Sequence, residues 1–137
     1  AAMVQAMDRN GAAILGELDK QGLRENTIVV FTSDNGATKD GSNLPLRGGK
    51  HSIYEGGVRL PTVIHWPKGG LAARHWNGLC GSLDMFPTLM AMAGLPMPRT
   101  RPLDGRNIWP ALRDGGASPA LRATSPADPA FRTTSDV

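Results

Sequence analysis

An α/β fold, with a mixed sheet flanked by helices, is predicted by three consecutive stretches of this sequence. A helical pattern over residues 2–21 leads into the β-branched run Thr27-Ile28-Val29-Val30-Phe31. That run stops at the polar turn Thr32-Ser33-Asp34-Asn35-Gly36. Helix, apolar strand and polar loop at the strand's carboxyl end form the order that α/β domains repeat, and ligands gather beyond those strand ends.

The first helix rests on Met3, Ala6, Met7, Ala13, Ile14 and Leu18, which fall near a 3.6-residue period, with Asp8, Arg9, Glu17 and Lys20 on other faces. Gly22 stands where a helix closes in the left-handed conformation. Gly11 and Gly16 each weaken the helix by about 1 kcal/mol relative to Ala. Because the run 27–31 is continuously apolar rather than alternating, it predicts a strand covered on both faces, as in a parallel or mixed sheet. Residues 37–58 predict a glycine-rich loop centred on Leu44-Pro45-Leu46-Arg47-Gly48-Gly49-Lys50. A loop of about twenty residues in a compact domain is usually functional.

Residues 61–66 predict a second strand, ended by Pro67 and Gly69-Gly70. A second helix is expected from Met85 to Ala93, with Asp84 as N-cap and Gly94 just past its end. Pro87 then sits in the first turn, where its missing N–H has no partner to lose. Residues 103–112 suit one more short helical turn. Beyond Arg113 periodicity ends, and residues 114–137 are expected to form a flexible tail.

Composition narrows the function. The 137 residues are 40% hydrophobic, too apolar for a wholly disordered chain. The formal net charge of +3 comes from scattered basic residues with no run of five, and aromatics are only 5%. Neither feature suits a nucleic-acid partner. No apolar stretch reaches the roughly 20 residues of a membrane-spanning helix. The single cysteine, Cys80, allows no internal disulfide and no CxxC pair. With no basic neighbour in sequence to lower its pKa, it is expected to be a small buried residue.

Two loops carry candidate chemistry. Asp34 and Asn35 offer a carboxylate and an amide carbonyl, hard oxygens suited to calcium or magnesium, and Gly36 permits the sharp turn that would let both face one ion. Ser-Asp-Asn-Gly is equally good chemistry for an ordinary turn. Lys50 follows a glycine pair whose N–H groups, with the ammonium, would suit phosphate or sulfate; a solvated surface lysine is the plainer alternative. The spacing is not that of a P-loop. Glu55 is placed to pair with Arg59. His51, His65 and His75 form no HxxxH or HExxH pattern, and His65 reads as a packed strand residue.

The run Asn26 to Gly36, then Leu46-Arg47-Gly48-Gly49-Lys50, then Ile53-Tyr54-Glu55-Gly56-Gly57-Val58-Arg59-Leu60-Pro61, resembles the sulfatases in content and order. Leu83-Asp84-Met85-Phe86-Pro87-Thr88-Leu89 and Leu103-Asp104-Gly105 extend the resemblance over residues 1–113. It implies the C-terminal part of a catalytic domain with an alkaline-phosphatase-like fold. It also implies hydrolysis of a sulfate ester, whether a small molecule or a sulfated carbohydrate. In that family a cysteine oxidised to formylglycine supplies the attacking oxygen, and Ca2+ (sometimes Mg2+) neutralises the sulfate. Carried over by position, Asp34 and Asn35 are metal ligands and Lys50 binds the sulfate.

The Cys-x-Pro/Ala-x-Arg signature of that nucleophile is absent. Cys80, followed by Gly81-Ser82, is not its equivalent, so the formylglycine is expected in a missing N-terminal part and the isolated chain is expected to be inactive. His51 stands where the family often has a small residue such as glycine, which narrows the pocket or touches substrate. A phosphate or phosphonate ester hydrolase of the same superfamily, and a non-catalytic anion-binding fragment, are the alternative readings.

Overall fold

A computed structural model describes residues 2–98 and 102–116 of the chain. Two units are distinguished, Ala1–Gly70 and Leu71–Val137.

In the first unit, α1 (Ala2–Lys20) ends as its glycine predicts. Gly22 has φ 66°. The Leu23 N–H donates to the Leu18 carbonyl at 2.9 Å and the Gly22 N–H to Asp19 at 3.1 Å. This is the Schellman closure, which satisfies carbonyls that the helix itself leaves open. No residue of α1 is buried, and Met3, Val4, Met7 and Ile14 are exposed. The 3.6 period therefore gives the helix, while the apolar stripe it creates stays uncovered among the described residues.

Strand β1 (Val29–Thr32) pairs antiparallel with β2 (Thr62–His65), Val29 opposite His65 and Thr32 opposite Thr62. The Thr32 and Thr62 hydroxyls meet at 2.8 Å. β1 starts two residues later than the apolar run. Thr27 is held by the preceding 3₁₀ turn (Arg24–Asn26), its hydroxyl donating to the Leu23 carbonyl at 2.8 Å and its N–H to Arg24. The expected double cover is not found: Val29 and Val30 are half-buried, whereas Phe31 and Thr32 are exposed. His65 is exposed as well, not packed. Between the strands, the long loop contains one short helix, α2 (Glu55–Val58).

The second unit is built on α3 (Ser82–Met92) and α4 (Trp109–Asp114). Its core is Thr88, Met92, Ile108, Ala111 and Leu112. The buried Thr88 hydroxyl accepts from the Ile108 N–H at 3.1 Å and donates to the Arg106 carbonyl at 3.4 Å, so the segment entering α4 is pinned to α3. α3 begins three residues before the predicted start because Asp84 is not its N-cap. Asp84 lies in the first turn and reaches back, accepting the Gly81 N–H at 2.8 Å and the Arg106 N–H at 2.7 Å. One carboxylate thus closes the helix start and holds a distant loop. Pro87 consequently falls inside the helix rather than in its first turn. Gly94, with φ 69°, closes α3 as Gly22 closes α1.

Cys80 is exposed, contrary to expectation, in the irregular segment before α3. Its thiol pKa is raised, chiefly by partial desolvation and further by the negative charge of Asp84. α4 takes in Asp114, and the Trp76 indole donates to the Gly116 carbonyl at 2.8 Å. The tail expected over 114–137 lies, from residue 117 onward, outside the described residues.

Candidate functional site

The loop after β1 is assembled by backbone contacts that only glycine permits. The Gly36 N–H donates to the Gly57 carbonyl at 3.0 Å, and the Gly56 N–H to the Arg47 carbonyl at 2.8 Å. A Cβ on Gly36 would overlap the Gly56 carbonyl oxygen. One on Gly56 would lie 2.7 Å from the Arg47 oxygen, and one on Gly49 would lie 2.6 Å from the Ala37 oxygen. Gly36, Gly56 and Gly57 are buried. The glycines that looked like flexible spacers in the sequence are the packing surface of the loop.

Asn43 completes the scaffold. Its side-chain oxygen accepts the Ala37 N–H at 2.8 Å, while its NH2 donates to the Ala37 and Gly48 carbonyls at 3.3 and 3.1 Å. One amide side chain therefore does for Ala37 what a neighbouring strand would do. Nothing in the sequence marked Asn43, because its partners are backbone groups five and six positions away in an irregular loop.

This scaffold brings the predicted site segments together. The Lys50 N–H donates to the Ala37 carbonyl at 3.1 Å, two residues beyond Asn35. Asp34 is exposed and Asn35 half-buried in the turn just past β1, where the Ser33 hydroxyl bonds the Asn35 carbonyl at 2.8 Å. The Asp34 carboxylate, the Asn35 amide and the Lys50 ammonium make no hydrogen bond or ion pair with any described residue. All three remain available to a ligand.

The available donors of Asp34 and Asn35 are hard oxygens, the type calcium and magnesium take. No cluster of three or more His, Cys, Asp or Glu forms among the described residues. By type, these two donors suit a hard cation. Glu55 and Arg59 do pair, at 3.4 Å along α2, and both are exposed. Arg47 lies over the Tyr54 ring, 3.8 Å from its centroid. His51 has φ 72°, the left-handed region. That gives a backbone reason for a glycine to be at home at this position.

Comparison with known proteins gives the family. The sulfatase family model matches residues 1–95. The chain belongs to the sulfatase family.

Among relatives, mouse steryl-sulfatase is 38% identical over an alignment of 120 positions that covers 80% of this chain and 19% of that enzyme. Human arylsulfatase A is 40% identical over an alignment of 118 positions that covers 82% of this chain and 23% of the enzyme. The chain therefore spans about a fifth of the length of the sulfatases it matches. The structure of Ps i-CgsB in complex with k-i-k-neocarrahexaose superposes with a TM-score of 0.78 at 39% identity, covering 84% of this chain and 26% of that one. PsFucS1 sulfatase from Pseudoalteromonas sp. gives a TM-score of 0.71 at 34% identity, covering 86% and 25%. The two-stranded sheet and its helices thus correspond to a part of the sulfatase α/β fold.

Proposed function

We propose that residues 1–113 form the C-terminal part of a sulfatase catalytic domain and contribute three groups to a sulfuric-ester hydrolase site. Asp34 and Asn35 hold a calcium ion (or magnesium), and Lys50 binds the sulfate beside the leaving-group oxygen. The substrate is a small sulfate ester or a sulfated carbohydrate, the class that the neocarrahexaose complex and a neighbour bound to D-glucosamine-2-N,6-O-disulfate represent.

The observation that carries this reading is the Lys50 N–H to Ala37 carbonyl bond. It ties the lysine to the same turn that presents the two oxygen donors. A bound cation supplies fixed positive charge to the sulfate oxygens, and Lys50 adds a second where negative charge grows as the ester bond breaks. The Gly48-Gly49 backbone lets the chain pass close to the anion without a side chain in the way.

The attacking group is not among these 137 residues, so the chain alone has no turnover. Hydrolysis of an aryl sulfate tests the reading. The pure chain should be inactive. The chain joined to a sulfatase segment bearing Cys-x-Pro/Ala-x-Arg should be active, and should lose at least ~100-fold on Lys50→Ala, as loss of a transition-state electrostatic contact does. Metal-dependent turnover by the chain alone, or full activity of the joined Lys50→Ala protein, would overturn the proposal.

A further inference from the structure

The loop that carries Lys50 also walls an open concavity of about 630 Å³. That size lies within the roughly 300–1,000 Å³ of small-molecule sites. Three cations, Lys39, Arg47 and Lys50, line it, and no carboxylate does. Asp40, next to Lys39 in sequence, is not part of the lining. None of the three cations is in an ion pair among the described residues. One of them is accounted for by the sulfate that is cleaved. The other two have no counterpart in that reading.

Arg47 and Lys39 are held by more than chance exposure. The guanidinium carbon of Arg47 lies over the Tyr54 ring, 3.8 Å from its centroid, and the Arg47 backbone carbonyl accepts the Gly56 N–H at 2.8 Å. Contact with the ring restrains the guanidinium while its N–H groups stay free for an anion, and arginine can bind sulfate or carboxylate with two parallel bonds. Lys39 sits in a turn closed by the Gly41 N–H donating to the Thr38 carbonyl at 3.0 Å. Between them, Ser42 and Asn43 contribute polar surface, while Leu44 and Leu46 offer apolar patches suited to a sugar ring.

We infer that Lys39 and Arg47 form a second anion subsite beside Lys50, which selects carbohydrates bearing another sulfate in addition to the one hydrolysed. This rests on Lys50 being the contact for the scissile sulfate. A singly sulfated sugar satisfies Lys50 alone. A doubly sulfated one also neutralises the two further cations that line the concavity.

The test is calorimetric binding of a monosulfated hexosamine and the same sugar with a second sulfate, using the full 137-residue chain. Lys39→Gln and Arg47→Lys should each weaken the disulfated sugar about tenfold, the scale of one charge-assisted contact. The monosulfated sugar should change less than about twofold. Arg47→Lys keeps the charge and loses the guanidinium fork, and the exposed Lys39 can be neutralised without disturbing packing. Lys50→Ala should weaken both sugars alike. Equal effects of the Lys39 and Arg47 changes on both sugars, with Lys50→Ala still weakening both, would overturn the second subsite alone. Binding of either sugar untouched by Lys50→Ala would overturn the sulfate role of Lys50 and this inference with it.

Discussion

The N–H of Lys50 donates to the carbonyl of Ala37 at 3.1 Å, and Asn43 grips both backbone groups of Ala37 at the same time. Ala37 is therefore the point through which the loop bearing the cation is registered against the turn bearing the oxygens. Its own side chain takes no part, so the registration is a property of backbone geometry and of residue 43.

Replacing Asn43 by Ala should remove one accepted and two donated hydrogen bonds. At about 1 kcal/mol each, net, the expected loss is roughly 2–3 kcal/mol of local stability. Hydrogen exchange at the Ala37 amide reads this directly. Protection there should collapse while the Gly22 and Gly94 amides, which close α1 and α3, keep theirs.

Gly36→Ala should be more damaging than its size suggests, because the added methyl meets the Gly56 carbonyl rather than a yielding side chain. Overpacking costs typically 1–3 kcal/mol, and the upper part of that range is expected. Gly11→Ala in α1, where a Cβ meets nothing, should instead raise stability by about 1 kcal/mol. Thermal unfolding of the two variants should therefore move in opposite directions.

His51 holds a left-handed backbone that costs a non-glycine residue roughly 1 kcal/mol. His51→Gly should leave stability unchanged or raise it by up to about that amount, measured by urea unfolding. A clear loss would mean that the imidazole makes a stabilising contact that offsets the backbone strain.

The Cys80 thiol, with its pKa raised by desolvation and by Asp84, carries less thiolate at pH 8 than an ordinary cysteine. Its alkylation should be slow there and should accelerate only as pH climbs past the usual thiol range. Asp84→Asn keeps an oxygen for the Gly81 N–H while removing the charge. It should lower the thiol pKa and speed alkylation at pH 8. An unchanged rate would leave desolvation as the whole cause.

What the sequence discloses here follows the range of each interaction. Gly22 and Gly94 marked the ends of α1 and α3 because helix closure is decided within six residues. The Glu55–Arg59 pair was legible for the same reason, as neighbours one helical turn apart. Asp84 was recognised as belonging to a helix start but given the wrong place in it, since its second partner, Arg106, is 22 positions away. Cys80, His65 and Phe31 were expected to be covered, and all are exposed. Burial depends on what packs against a residue, and the sulfatases that match this chain are roughly four times as long. In the candidate site, Asp34, Asn35 and Lys50 stood out by their chemistry, whereas Asn43 and the interlocked glycines emerge only from the folded loop.

The most direct test of the central claim is an NMR titration of the 137-residue chain with inorganic sulfate, repeated with Lys50→Ala. Weak, saturable shifts centred on the Gly48, Gly49 and Lys50 amides, absent in the variant, are the predicted result. Shifts scattered over the basic residues, or unchanged by Lys50→Ala, would contradict the assignment of this loop as the sulfate contact.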